Sequence, residues 1–586
     1  MKNYIIIFIA FIISLTLSSC ADSILQKPFG SDLMTDSIFS TKQKSLGAIA
    51  QAYSNSLRAG ITILNWDATR VYGLRSGTLS HLSDEICADK YNWEDGWMIS
   101  HNGMVANDGT GMPLSDDGFS FNYVAIRHNY LVIDNIDKVV DMTAEEKIQV
   151  KAEMKALIAY RYEEMFKRYG GVPIIDKVLS SDDFTKIPRS PLKDVLAFIV
   201  KLCDEAAIGL PNSYPDIYKG RVTKGVALAI KAEALMFAAR PLFNSATPYM
   251  DFGHNNNLIC FGDYQQSRWQ DAIDASEAVI TWATANGCQI INTSNPLDDY
   301  GKACSAPNNS EVLIAYNLEN PTDGNNGNYY DPRGQSGAAN SMSYNQLTKY
   351  AKADGTEQTW PGSTETPYAD YSTRINDMEP RYKASAMGAG IDAWNNPNDN
   401  AWSTTVMYNK GTWDGGAGGT EACGRRVKFW WHAGNRLSLF FPIYRLAEFY
   451  LNLAEAYNEV GNSGKSLENL KVIRDRAGLP ALTDTDPTIL RSKIQREWAV
   501  EFYEEAHRLY DVKHWKLSDI GTNGIGGPRK KFVFTYVNGK DAYNASAYLK
   551  YSVKPMYNAF WSPSQFLSPF PIKEASIGYL VQNPGY

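Results

Sequence analysis

The stretch from Tyr444 to Gly461 reads YRLAEFYLNLAEAYNEVG, and together with the preceding isoleucine it contains the strongest apolar pattern of the chain. Its apolar residues recur at alternating intervals of three and four, at Ile443, Leu446, Tyr450, Leu453, Tyr457 and Val460. This spacing places all of them on one face of an α-helix. The segment therefore predicts a helix with one buried face, and that face requires a partner.

A second helix is predicted directly afterwards. The turn Gly461 to Gly464 is followed by apolar residues at helical spacing, at Leu467, Leu470, Ile473 and Ala477. The two helices together occupy roughly 35 residues, the size of a tetratricopeptide unit. Such pairs stack on one another because neither helix covers its apolar face without a neighbour.

Other segments show the same helical periodicity on both sides of this pair. They cover residues 154–169, 223–240, 269–286 and 490–515. Most end at a glycine or a proline, which are common helix stops. The sequence therefore predicts a mostly α fold with a tetratricopeptide-like scaffold of helix pairs.

Residues 321–435 differ in composition from this scaffold. They hold fifteen of the 44 glycines and six of the fourteen tryptophans, with little helical periodicity. Long irregular stretches inside compact proteins are usually functional or disordered, and the many large rings favour a folded lobe. We expect one unit over residues 20–586, with helical parts at 20–320 and 436–586 around this loop-rich, Gly- and Trp-rich lobe.

The first residues predict an exported chain. Lys2 is followed by a largely apolar run from Tyr4 to Leu17, which is too short to span a membrane and fits a signal peptide. The run ends in Leu17-Ser18-Ser19-Cys20, which resembles the lipobox of bacterial lipoproteins. We therefore expect residues 1–19 to be removed and Cys20 to carry the lipid that holds the protein on a membrane. The alternative is an ordinary secretory signal with a chance cysteine.

Charge and cysteine spacing exclude several classes of function. The net charge of −7 disfavours nucleic acid as a partner, and the most basic short cluster, Arg529 to Lys531, is interpreted as a solvated loop. The six other cysteines show no C-x-x-C spacing, which argues against zinc and redox motifs. We expect most of them to be small buried residues, in a protein that needs no cofactor.

One helical face carries residues that could ligate a metal. His507, Asp511 and His514 are spaced at i, i+4 and i+7, and Glu504 precedes the first of them by three. A structural interpretation, in which Glu504 pairs with Arg508, is favoured because no second Glu-x-x-His helix is present. Neither a G-x-S-x-G elbow, a P-loop nor H-E-x-x-H occurs, so we expect no catalytic residue and regard an enzyme as the weaker class.

Aromatic residues are the best candidates for a binding site. The loop-like segment from Tyr91 to Trp97 interleaves rings with amides and carboxylates, and we predict that Tyr91, Asn92, Trp93 and Trp97 contact a ligand. The lobe contributes four further candidates, Trp360, Trp394, Trp402 and Trp413. Flat sugar faces pack on such rings while neighbouring polar groups replace water. The alternative is that these rings anchor loops onto the core.

Several stretches, in order along the chain, are similar to the SusD/RagB family. The similar stretches are RYEEMFKRYGGVPI from Arg161, GRVTKGVALAIKAEALMFAARPLFN from Gly220, the quoted helix at Tyr444 with VIRDRAGL from Val472, IQREWAVEFYEEAHRLYDVKHWK from Ile494, and the final QNPGY. In the fourth stretch Ala506 stands where the family usually has glycine. The resemblance implies a scaffold role for these helices.

The resemblance also implies a function. Members of this family are outer-membrane lipoproteins that cover a SusC-like TonB-dependent transporter and bind oligosaccharides or, in the RagB branch, peptides. We therefore expect this chain to bind an oligosaccharide nutrient at the cell surface and to deliver it to such a transporter. A peptide ligand is the first alternative, and a surface glycoside hydrolase is the second.

Overall fold

The computed structural model describes residues 31–58, 79–86, 95–106, 119–179, 187–319, 342–389, 423–430, 438–517, 524–537 and 548–586. The helices that these residues form are α1 Ser31–Ile38, α2 Lys42–Arg58, α3 Asp95–Asn102, α4 Phe119–Asn135, α5 Ala144–Tyr169, α6 Leu192–Gly209, α7 Lys224–Ala239, α8 Ser267–Ala285, α9 Pro296–Ser305, α10 Tyr344–Leu347, α11 Tyr368–Asn376, α12 Pro380–Ser385, α13 Leu446–Glu459, α14 Ser463–Arg476, α15 Pro487–Glu501, α16 Arg508–His514 and α17 Ile572–Ser576. Short 3-10 turns join several of them.

The predicted helix pair is confirmed as α13 and α14. Leu451 and Ala454 of α13 lie in one apolar cluster with Leu470 and Ile473 of α14. Leu446 and Leu453, from the predicted face of α13, are also buried but belong to two other apolar clusters. The predicted segments at 223–240 and 269–286 are confirmed as α7 and α8, which pack on each other and on neighbouring helices. The mostly helical fold class is therefore confirmed.

The strands are few and pair over long sequence distances. They are β1 Val312–Glu319, β2 Thr366–Pro367, β3 Ala386–Met387, β4 Arg425–Arg426, β5 Ser438–Arg445, β6 Gly527–Tyr536 and β7 Tyr548–Ala559. The strands β1 and β5 pair antiparallel, and so do β3 and β4. A three-stranded sheet has the order β2-β7-β6, with antiparallel neighbours.

The interpretation of Arg529 to Lys531 as a solvated loop is wrong. All three residues lie in β6, and the side chain of Arg529 is fully buried, where Nη2 donates to the carbonyl oxygen of Ile525 at 2.5 Å. The buried guanidinium of Arg529 donates to backbone carbonyl oxygens, and no local sequence pattern indicates that it is buried.

The described part of the Gly- and Trp-rich lobe packs against this sheet. Its aromatic rings form a second apolar cluster with rings of β6 and β7, separate from the main helical core. The cluster includes Tyr350, Tyr368, Tyr371, Phe532, Phe534 and Tyr551. The lobe therefore contacts the scaffold through edge-to-face ring packing, which aromatic side chains prefer.

The predicted helix over residues 490–515 is interrupted. It consists of α15 and α16, joined by a turn in which Glu504 and Ala506 have φ values of +64° and +66°. A left-handed backbone costs roughly 1–2 kcal/mol for a residue with a Cβ, and glycine escapes this cost. Ala506 bears this cost, which the glycine implied at this position by the family resemblance would avoid.

The expected ion pair between Glu504 and Arg508 is also wrong, because the helix is interrupted between these two residues. Glu504 instead pairs with Arg426, while Arg508 pairs with Asp84 through Nε at 2.8 Å. Two further residues of the candidate metal face have partners too: Asp511 accepts from Arg240 at 2.7 Å, and His514 bonds the carbonyl of Lys167. Within the described ranges no cluster of His, Cys, Asp and Glu could hold a metal ion.

A buried ionic network crosses the C-terminal half of the scaffold. At its centre Arg445 contacts Glu311 at 3.0 Å, Glu501 at 2.6 Å and Glu505 at 2.7 Å. Glu501 also pairs with Arg381 and with Arg476, and all of these side chains are almost completely shielded from solvent. Buried charges are tolerated only when they are paired and hydrogen-bonded, so each member fixes the position of the others.

Five of the six remaining cysteines lie in the described residues. Cys203, Cys260, Cys304 and Cys423 are buried and Cys288 is half-buried, and no two of these five are joined by a disulfide. This confirms the expectation that most are small buried residues. Burial raises the pKa of the Cys304 thiol to about 12.

Candidate functional site

Three rings form a stack on the surface at the junction of α3 and β7. The ring centroids of Trp97 and His101 are 4.0 Å apart, with 16° between the ring planes. The ring of Tyr557, from β7, lies 4.2 Å from the other face of His101, at 24°. Trp97 and His101 are four residues apart on α3, so one helical turn brings them into register. We call Trp97, His101 and Tyr557 the ring stack.

The helix that presents two of these rings is clamped on both sides. On one side Gly96 faces the 3-10 turn Leu79–Leu82 so closely that a Cβ would lie 2.9 Å from Cβ of His81. On the other side the N–H of Phe560, just beyond β7, donates to the carbonyl of Ser100 at 2.8 Å. The stack therefore rests on backbone contacts and on a close approach that requires glycine.

The turn that supports α3 is fixed by buried charges. Asp84 pairs with Arg508 and also with Lys349 at 2.8 Å. Burial alone would raise the pKa of Asp84, but the positive charges of Arg508 and Lys349 hold it well below its usual range. The next residue, Glu85, accepts from the N–H of Glu504 at 2.8 Å. The ring stack is thus connected to the rigid scaffold through residues 79–86.

All three rings of the stack are partly exposed, and Phe560 beside them is 42% exposed. The Nδ1 atom of His101 lies 2.8 Å from the carbonyl oxygen of Trp97, and since a carbonyl only accepts, Nδ1 carries the proton. This bond keeps the imidazole parallel to the indole. Both faces of His101 are covered by its two neighbours, so the faces that the stack can offer to the C–H groups of a ligand are the outer ones of Trp97 and Tyr557.

The predicted site residues fall into three groups. Trp97 is in the ring stack. Trp360 lies half-buried against the second apolar cluster, 5.1 Å from the ring of Phe532, and it makes no ring contact with Trp97. The remaining predicted residues lie outside the described residues; they are Cys20, Tyr91, Asn92, Trp93, Trp394, Trp402 and Trp413.

Two members of the stack were missed by reasoning from the sequence. The segment from Tyr91 to Trp97 was predicted to be a loop, but Trp97 lies in the helix α3. A helical interpretation would have found His101, which follows Trp97 by four residues. Tyr557 carries no such signal, since it reaches the stack only through the pairing of β7 with β6 and through the contact of α3 with β7.

Comparison with known families identifies the scaffold. Residues 289–586 match the model described as the SusD family. This chain belongs to the SusD family. Residues 62–234 match a second model, described as starch-binding and associating with the outer membrane. In the described residues no helix has the length and apolar character needed to cross a membrane.

Relatives with solved structures share this fold over nearly their whole length. A SusD-like protein from Bacteroides fragilis has a TM-score of 0.72 at 24% identity, covering 94% of this chain and 98% of its own. A second one from that species, titled a SusD-like carbohydrate binding protein, has a TM-score of 0.66 at 18% identity and coverages of 92% and 99%. A laminarin binding SusD-like protein has a TM-score of 0.53 at 17% identity, covering 94% and 100%.

A curated relative extends the comparison by sequence. The SusD-like protein P25 of Formosa agariphila is 21% identical over 430 residues, which is 67% of this chain and 69% of the relative. Identities at this level show the common SusD fold, and the ligand has to be argued from this chain's own residues.

Proposed function

We propose that this SusD-family protein binds oligosaccharides at the cell surface and delivers them to a TonB-dependent outer-membrane transporter, without cleaving them. The ring stack carries the proposal. Its rings are partly exposed, parallel and held by a rigid support, which is the arrangement that a pyranose face needs for packing. A neutral glycan also suits a chain with a net charge of only −7.

The anchor and the partner complete the proposal. The sequence around Cys20 supports attachment through a lipid. Each CH₂ group of an acyl chain that is buried in the membrane contributes about 0.8 kcal/mol to binding, so one or more such chains would keep the protein on a membrane. The match to a model described as associating with the outer membrane supports that location. A binding protein without a channel of its own needs a transporter to move the glycan across that membrane.

Trp97→Ala tests the binding site. We expect the variant to bind laminarin or starch oligosaccharides about 2 kcal/mol more weakly, roughly thirty-fold, because it removes one ring face and ends the parallel stack. The melting temperature should change little, since Trp97 is partly exposed. Titration calorimetry with both oligosaccharide series, together with thermal unfolding, gives the two readouts.

Trp282→Ala is the matched control. Trp282 is another half-buried indole, on α8, whose Nε1 donates to Asn212 at 2.9 Å, and it has no contact with the ring stack. The Trp282→Ala variant should bind the oligosaccharides like the native chain. Equal binding by Trp97→Ala and the native chain would show that the ring stack is not part of the binding site. Release of shorter sugars during the titration would support the hydrolase alternative.

Native outer membranes test the anchor and the partner. The chain should sediment with the membranes and should co-purify in mild detergent with a TonB-dependent transporter in near-equal amount. Cys20→Ala should abolish sedimentation with the membranes, because no acyl chain can be attached without the thiol. Recovery of the native chain alone, with an oligosaccharide present, would contradict the proposed delivery step.

A further inference from the structure

A pocket opens at a part of the fold that is separate from the ring stack. It has a volume of about 210 Å³ and lies where the start of α2, the start of α5 and the loop before α7 meet. Its apolar floor includes Leu46, Ile49 and Val150. Its polar and aromatic wall consists of Lys42, Ser45, Glu146, Gln149, Tyr214, Tyr218 and Arg221. None of the three residues of the ring stack lines this pocket.

Glu153, buried beneath the pocket, fixes the wall. One carboxylate oxygen accepts from the hydroxyl of Tyr53 at 2.7 Å and from Nε and Nη2 of Arg221 at 2.9 and 2.7 Å. The other accepts from the hydroxyl of Tyr214 at 2.7 Å and from Gln149 at 3.1 Å. The wall is therefore formed before any ligand arrives, which lowers the entropy lost on binding.

Two tyrosine rings lie equally close to one guanidinium. The central carbon of Arg221 lies 5.4 Å from the ring centroid of Tyr214 and 5.4 Å from that of Tyr218. Nη1 of Arg221 and the hydroxyl of Tyr218 have no hydrogen-bond partner among the described residues, although each can donate. The pocket thus combines ring faces, an apolar floor and two donors that a ligand can use.

The charges at the pocket favour a neutral ligand. The two cations that line it are each paired already, Lys42 with Glu146 and Arg221 with Glu153. An anion would compete with these carboxylates, whereas a hydroxyl can accept from the donors that remain. The volume is below the roughly 300–1,000 Å³ of sites for drug-sized ligands, so a single small ring fits better than a chain of rings.

We propose that this pocket binds one neutral sugar ring, such as a terminal or branching residue of a glycan, at a site separate from the ring stack. This goes beyond the proposed function, which requires one site. Two sites on one rigid protein would hold a long or branched glycan more tightly than either site alone, because the second contact forms at a high effective concentration.

Methyl glycosides of glucose, galactose and mannose are suitable probes, because they are neutral and consist of one ring. We expect saturable, millimolar binding of at least one of them to the purified chain, measured by saturation-transfer NMR. Tyr218→Ala should weaken it by about tenfold or more, which corresponds to one lost ring contact. Met142→Trp, at the rim of the pocket, should block it by filling the space while keeping Tyr218.

Two variants control for effects elsewhere. Tyr264→Ala removes a tyrosine that is 58% exposed and does not line the pocket, and it should bind the methyl glycosides like the native chain. Trp97→Ala should also retain this binding even though it loses affinity for oligosaccharides, so the two sites can succeed or fail independently. If Tyr218→Ala unfolds, the comparison of Met142→Trp with the native chain decides.

Three results would overturn the proposal. The first is the absence of saturable binding by all three glycosides. The second is normal binding by both Tyr218→Ala and Met142→Trp. The third is a preference for methyl glucuronide that weakens with added salt, since that would show an anion site in place of a neutral one.

Discussion

Glu501→Gln is expected to destabilise the protein by about 3–5 kcal/mol. Glu501 accepts from Arg381, Arg445 and Arg476 while buried. Burial alone would raise its pKa, but the charges of Arg476, Arg445 and Arg381 together hold the pKa well below the usual range. A glutamine of the same shape leaves three buried cations with one carboxylate fewer. Urea unfolding at pH 7 measures the difference in the free energy of unfolding.

A matched exposed carboxylate provides the control for this experiment. Glu468, 66% exposed, pairs with Lys465 at 2.9 Å on the surface of α14. Glu468→Gln should change the free energy of unfolding by less than about 1 kcal/mol, because exposed ion pairs are screened by water. Equal stability of Glu501→Gln and Glu468→Gln would show that the buried network does not depend on the Glu501 charge.

Glu85→Gln is expected to stabilise the protein above neutral pH. Burial, with smaller contributions from the carboxylates of Glu504 and Asp84, raises the pKa of Glu85 to about 7 from an ordinary 4.5. Between these two values the folded state holds a proton that the unfolded state has lost, so stability falls as the pH rises from 4.5 through 7. This difference in pKa lowers the free energy of unfolding by about 3 kcal/mol at pH 8. Glutamine carries no charge and therefore avoids this loss.

Urea unfolding at pH 5 and pH 8 tests this prediction. Glu85→Gln should exceed the native chain in stability at pH 8 and should lose most of that advantage at pH 5. Glutamine also keeps an oxygen that can accept from the N–H of Glu504. Glu365→Gln, at a carboxylate that is 58% exposed and pairs with Lys550, should follow the native pH dependence. Parallel curves for Glu85→Gln and the native chain would contradict the assigned pKa.

The helices could be predicted because their signal is local. The alternating spacing of apolar residues in α13 and α14 reflects one buried face in each helix, and the same logic located α7 and α8. The break between α15 and α16 could not be predicted in this way. It depends on Arg426 and Asp84, which are distant in the sequence and bind Glu504 and Arg508.

The candidate site was predictable in part for the same reason. Trp97 stood out because its neighbours interleave rings and polar groups, and its partner on α3 follows at helical spacing. The register of β6 with β7 brings Arg529 opposite Tyr557, and no pattern near either residue indicates that pairing. Sequence reasoning therefore found one ring of the stack, Trp97. It missed His101, one turn further along the same helix, and Tyr557, whose position requires a sheet.

Two buried ion pairs outside the Arg445 network also constrain the order in which the chain can fold. Asp84 and its partner Arg508 are 424 residues apart, and Arg240 reaches Asp511 over 271 residues. Closing such long loops is entropically unfavourable until many other contacts have formed, so these pairs are late events in folding. When the chain is synthesised from its N-terminus, these charged side chains stay hydrated until nearly the whole chain has been made.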